Sequence, residues 1–311
     1  MTIPLNRFRL WALNAALTGA SLVRTSTAAG QSIWLAPSEG RSISIEASKP
    51  NFKNGEDLGF PTSVWTFCLR LPVADSTRIE VELPVGRVRY GNDVYRYDAH
   101  GYTAGPTPMV RTGTVIGNPY IGMVSASHSS RSFRGEWEFG LRVPLPSEKQ
   151  YQASSIRMFS DFDLAEAFGK RLLPIQLSFN ALIGDPSSLM TRLRVGTDLW
   201  ISTEMVDLIS WPWLDTDSWQ EGDMTELWLH CSAQIGYKKD GFGFRVGVTG
   251  RLWITEPDLD FGERTYYRFG MAVGVKLGSV CPGIHVRFLL DKDMRDILDN
   301  VIGLDCSIRI D

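Results

Sequence analysis

From Thr225 to Leu277, every second residue is apolar through three successive stretches. In the first, Leu227, Leu229, Cys231, Ala233 and Ile235 alternate with Glu226, Trp228, His230, Ser232 and Gln234. In the second, Phe242, Phe244, Val246, Val248, Leu252 and Ile254 alternate with Gly243, Arg245, Gly247, Thr249, Arg251 and Trp253. In the third, Tyr267, Phe269, Met271, Val273, Val275 and Leu277 alternate with Arg268, Gly270, Ala272, Gly274 and Lys276. A period of two gives β-strands with one apolar and one polar face. Each stretch runs for about 11–13 residues, and a tilted strand crosses a bilayer in about 9–11. Arginine and glycine on the polar face suit a wet interior. The pattern predicts the wall of a membrane β-barrel, with lipid outside and a polar lumen inside.

The rest of the chain repeats the pattern. Further strands are predicted at Arg41–Ser48, Ser63–Leu71, Ile79–Leu83, Asn118–Ser127, Glu136–Leu145, Leu172–Ile183, Arg192–Ile201, Ile284–Leu290 and Ile302–Ile310. With the three above, this makes twelve. The excursion from Gly86 to Gly117 reads as a small hairpin, Val88–Tyr97, turning on Gly91-Asn92-Asp93. The loop from Pro146 to Arg171 predicts a short helix, with Ser160 as N-cap and Gly169 as stop. Links after odd-numbered strands are long and those after even-numbered strands short, as in bacterial barrels with extracellular loops and periplasmic turns. The fold class expected is all-β: a twelve-stranded antiparallel transmembrane β-barrel of outer-membrane type, spanning residues 41–311. A soluble all-β fold would bury the apolar face, and a twelve-stranded ring is too wide for those side chains to fill.

Residues 1–29 read as a signal peptide. Arg7 and Arg9 precede a mostly apolar run from Leu10 to Val23, then small residues Ser26 to Ala29. Residues 30–40 form a periplasmic lead-in. Removing three arginines and no acid leaves the mature chain more acidic than the full chain at −3. Such a balance argues against nucleic-acid partners. Past the N-terminus no apolar run is long enough for a transmembrane helix. The expected location is the outer membrane of a Gram-negative cell, with the lipid bilayer and the outer-membrane assembly machinery as partners. The last strand closes on Ile310-Asp311, where barrels of this class usually carry an aromatic residue. Cys68, Cys231, Cys281 and Cys306 fit no zinc or redox spacing and read as structural.

Two segments carry a family resemblance: Gly117-Asn118-Pro119-Tyr120-Ile121-Gly122-Met123 and Glu138-Phe139-Gly140-Leu141-Arg142-Val143-Pro144. They resemble the outer-membrane family linked to the meta-pathway of phenol degradation. That resemblance implies a transporter of hydrophobic or aromatic compounds.

The polar face supplies the candidate solute path: Glu80, Glu82, Glu136, Glu138, Arg142, Arg192, Arg194, Asp198, His230, Arg245, Arg251 and Arg268. Acids, including Glu46, gather on early strands. Bases, with Lys276, Arg287 and Arg309, gather on later ones. Two readings stay open: a transverse field that orients a solute in a pore, or charges that pair across the lumen and plug it. Trp211, Trp213 and Trp219 form an aromatic loop, read as packing or interfacial girdle or as a mouth for apolar ligands. Phe162, Leu164 and Phe168 read as a lid or as a packed loop. The function expected is a channel or transporter for a small solute, without cofactor or metal. The alternatives are a non-conducting structural barrel and an outer-membrane lipid hydrolase. For the hydrolase, His230 with Ser232 and Glu226 is the candidate set, since His128 beside Ser129 falls in a periplasmic turn. No motif fixes a nucleophile, so no catalytic residue is assigned.

Overall fold

The computed structural model describes residues 40–53, 63–97, 103–130, 132–145, 166–169, 172–185, 188–202, 225–256 and 258–310. The signal peptide expected at 1–29, nearly all of the expected lead-in, and the loop with Trp211, Trp213 and Trp219 lie outside these residues.

Thirteen strands and one short helix follow in chain order. They are β1 (Ser42–Phe52), β2 (Ser63–Ala74), β3 (Thr77–Tyr97), β4 (Thr103–Ile116), β5 (Tyr120–Ser129), β6 (Phe133–Arg142) and β7 (Leu172–Gly184). Then come β8 (Leu189–Ser202), β9 (Thr225–Lys239), β10 (Phe242–Trp253), β11 (Thr265–Val275), β12 (Val280–Leu289), α1 (Lys292–Ile297) and β13 (Leu298–Arg309). Every strand except β4 belongs to a closed antiparallel ring. β3 pairs directly with β5, and β1 pairs with β13 from Ser42↔Arg309 to Phe52↔Leu298. The ring therefore has twelve strands, as the alternation predicts.

Links 75–76, 130–132, 185–188, 240–241 and 276–279 are short and share one rim. Links 53–62, 143–171, 203–224, 254–264 and 290–297 are longer and share the other. The shortest turns are set by local chemistry. Asp240 (φ 50°) and Gly241 (φ 85°) both sit in the left-handed region that a type I′ hairpin turn needs. Outer-membrane barrels carry short turns on the periplasmic side and long loops on the extracellular side, and the two rims are named by that rule.

Three expectations change. The Val88–Tyr97 hairpin is instead the upper part of β3, which runs unbroken and pairs with β4 from Val85↔Ile116 to Tyr97↔Thr103. β3 beyond Arg87 has β4 as its partner, so the two rise above the ring as a long hairpin. Pro106, Pro108 and the glycines argue against a strand by composition, but an extramembrane hairpin has free edges where proline is tolerated. The helix expected at 160–169 is, among the described residues, a 3₁₀ turn at 166–168. A helix does occur where only a loop is expected, at Lys292–Ile297.

The faces are inverted relative to a soluble protein. Trp137, Phe139, Leu177, Ile235 and Leu304 point outward, Leu304 with 58% of its surface exposed, while Arg70, Arg142 and Arg287 are the largest fully buried side chains. An apolar belt around the twelve ring strands requires lipid around it. The architecture is that of a Gram-negative outer-membrane protein. Inside, large polar side chains cross over neighbouring strands where glycine leaves space. A Cβ at Gly303 would overlap the His285 ring, and one at Gly140 would overlap Tyr120.

Candidate functional site

The lumen is organised around Glu166, which enters from the β6–β7 loop rather than from a strand. Its turn is anchored by the segment before β5. Asn118 N–H donates to the Ala167 carbonyl at 2.6 Å, and its Nδ2 donates to the Gly169 carbonyl at 2.8 Å. Gly117 is required there, since a side chain would strike the Ala167 carbonyl and the Phe168 ring. So the Gly117-Asn118 pair of the resemblance motif holds a loop inside the barrel.

Glu166 is 1% exposed and meets both walls. Oε1 accepts from Arg142 Nε at 3.0 Å and from Gln176 Nε2 at 3.1 Å. Oε2 accepts from Arg251 Nη1 at 3.4 Å. Arg142 reaches on to Glu82 at 2.9 Å, and Arg251 pairs with Asp198. The chain continues across three strands. His230 Nδ1–H donates to Asp198 Oδ2 at 3.2 Å, and its Nε2 lies within hydrogen-bond distance of the Ser178 hydroxyl at 2.9 Å. Ser178, Gly196 and His230 stand in one register row, and His230 crosses to Ser178 above Gly196. Glu166 thus joins opposite parts of the ring in one network in which each buried carboxylate has an arginine partner, the condition under which buried ions are tolerated.

Below it, ion pairs run along one wall. Glu80 meets Arg70 at 2.9 Å and Arg78 at 3.0 Å; Glu136 meets Arg78 at 3.1 Å and Arg134 at 2.8 Å; Glu138 meets Arg194 at 3.2 Å. On the far wall Glu46 and Asp305 are register partners, and His285 lies between them at 3.2 and 3.7 Å. Arg287 donates to Ser48 at 2.7 Å beside them.

Towards the extracellular rim the lumen turns aromatic. Trp228 stacks on Trp253 at 5.1 Å and leans on Trp200 at 5.2 Å, with Leu172 and Tyr266 packed alongside. The Arg251 guanidinium lies over Trp200 and Trp228 at 5.6 and 5.8 Å. Met294 of α1, with Leu298 and Val301, buries against Leu289 and Tyr266. The periplasmic third is different: a cavity of about 630 Å³ opens there between the short turns.

The twelve residues singled out from sequence occupy four places. Glu82, Arg142, Asp198, His230 and Arg251 share the Glu166 network. Glu80, Glu136, Glu138 and Arg194 belong to the paired wall, with Arg192 donating to Asn180 at 3.3 Å. Arg245 lines the cavity, and Arg268 is buried between the two levels. An acidic early wall facing a basic late wall is not what results. Arg70, Arg78, Arg134 and Arg142 stand among the early acids, and cross-strand neighbours such as Arg70↔Glu80 compensate each other locally. The hydroxyl within reach of His230 is Ser178, not Ser232, because His230 points across Gly196 rather than along its own strand. Phe168 is fully buried as part of the anchored turn, while Phe162 and Leu164 lie outside the described residues. Among the described residues no group of three or more His, Cys, Asp or Glu is placed to hold a metal ion.

Glu166 itself escapes sequence reasoning, since a loop carbonyl and carboxylate have no period. Trp200, Trp228 and Trp253 were findable. Each sits two residues from a lumenal charge, and the alternation that turns Asp198, His230 and Arg251 inward turns them inward too.

No family model matches the chain, and no curated protein matches it by sequence. Solved structures do match in fold. The NanC porin aligns over 87% of this chain and 100% of its own, at 6% identity and a TM-score of 0.50. An outer-membrane channel from Pseudomonas putida F1 aligns over 90% of this chain and 99% of its own, at 11% identity and a TM-score of 0.52. At such identities the likeness is one of fold: this chain is an outer-membrane-type β-barrel.

Proposed function

We propose that this protein is an outer-membrane channel or transporter for a small solute, with Glu166 and its partners forming the constriction. The observation that carries the reading is the contrast within one closed, polar-lined ring. A cavity of about 630 Å³ lies at the periplasmic end, and a single loop carboxylate ties the walls together above it. A barrel serving only as a wall or anchor has no need of a hollow polar end. The likeness to a porin and a channel supports the same reading. For the hydrophobic or aromatic solute implied by the family resemblance, the contact surface is the Trp200, Trp228 and Trp253 cluster beside Arg251. Purified protein in a planar bilayer is expected to give discrete conductance steps, and Asn118→Ala, which releases the Glu166 turn, is expected to raise them. Silent membranes with both proteins, each folded by its heat-dependent gel shift, would favour the non-conducting barrel.

A further inference from the structure

We propose that the periplasmic cavity is an anion-binding vestibule, so that the solute handled here carries a negative charge. The proposal rests on the channel reading above and deepens it.

Seven basic and three acidic side chains line the cavity, in a chain whose overall charge is −3. The local surplus therefore opposes the global balance. Two of the three acids are engaged, Glu136 by two of the seven bases, which leaves five bases and the exposed turn residue Asp240. Glu136 is held by Arg78 and Arg134, and Asp305 faces His285. Lys238, Lys276 and Arg309 stand at the rim, exposed, and none of the three makes an ion pair among the described residues. They come from three different strand ends, and all three line the one cavity.

The space between them is built in. Gly243 and Gly274 face it, and a Cβ at either would meet nothing closer than 3.8 or 3.5 Å. These glycines leave room, whereas Gly196 and Gly303 higher in the lumen are filled by histidine rings. At about 630 Å³ the cavity falls within the range of about 300–1,000 Å³ usual for small-molecule sites. Low-dielectric barrel walls concentrate the positive potential at such a mouth and raise the local concentration of anions. Ammonium and guanidinium groups bind carboxylate or phosphate by charge-assisted hydrogen bonds. A small organic anion with either group fits both the charge and the volume. Phospholipid headgroups at the periplasmic leaflet carry the same chemistry, but these side chains line the cavity as well as the rim.

The test is ion selectivity in a planar bilayer of zwitterionic lipid under a potassium chloride gradient. Wild type is expected to prefer chloride several-fold. The triple variant Lys238→Glu, Lys276→Glu, Arg309→Glu is expected to lose or invert that preference while still conducting. Cation preference in the wild type would overturn the vestibule and leave the channel standing. If the wild type does not conduct, the channel reading falls, and the vestibule is decided by binding. Reductively ¹³C-methylated Lys238 and Lys276, in zwitterionic micelles, should then shift saturably with inorganic phosphate. Absence of a shift would overturn the proposal. A shift only after anionic lipid is added would assign the basic rim to headgroups and overturn it as well.

Discussion

Arg142 and Arg309 occupy the same inward face of the same ring, yet they end differently. Arg142 is fully buried and meets Glu82 and Glu166, whereas Arg309 is exposed at the periplasmic rim and makes no ion pair among the described residues. Strand alternation turns both inward. What separates them is a loop, since among the described residues only the upper lumen receives a carboxylate from outside the wall. The upper lumen is consequently a packed polar core, where each ion depends on its partners. The lower third is a solvated surface that happens to be concave.

That contrast can be broken first at the two arginines. Arg142→Ala strips two buried carboxylates of their partner and is expected to destabilise the barrel by about 3–5 kcal/mol. Arg309→Ala is expected to stay within about 0.5 kcal/mol. Urea unfolding in detergent micelles measures both, and equal losses would mean that the two ends do not differ. The glycines sharpen it next. Gly196→Ala would push a methyl group into the Leu177 carbonyl and the His230 ring, costing about 1–3 kcal/mol of overpacking. Gly274→Ala has space and is expected to be silent in the same assay. The smallest geometric term is at the aromatic cluster. Trp253→Ala removes one face of the Trp228 stack, expected to cost about 0.5–1.5 kcal/mol beyond the area it exposes. The same change should alter the tryptophan emission of the folded barrel.

Much of the fold was legible because period two survives any error in strand ends. Leu304 and Asp305 are assigned to opposite faces wherever β13 begins. Register was harder. That Glu46 faces Asp305, or that His230 crosses Gly196 to Ser178, depends on how adjacent strands slide. Turns and the ring as a whole set that, not either strand alone. Two elements were illegible for opposite reasons. β4 is masked by proline and glycine that an edge hairpin tolerates. Glu166 sits in a loop where neither helix nor strand imposes a pattern. The site was therefore visible as a set of wall residues but not as a network, because its hub lies off the wall.

The seam between β1 and β13 has a consequence for how the molecule forms. Ser42 finds Arg309 only when nearly the whole chain has been laid down. Until then the growing sheet carries two free edges and an apolar face of full width. Contacts between such distant residues form slowly, and open edges invite pairing with other chains. Ring closure is thus the last and most exposed event in the life of the nascent protein. Its polar lumen has to assemble at the same moment, since Glu46 on the first strand and Asp305 on the last share His285. Closing the wall and satisfying that part of the interior are one step.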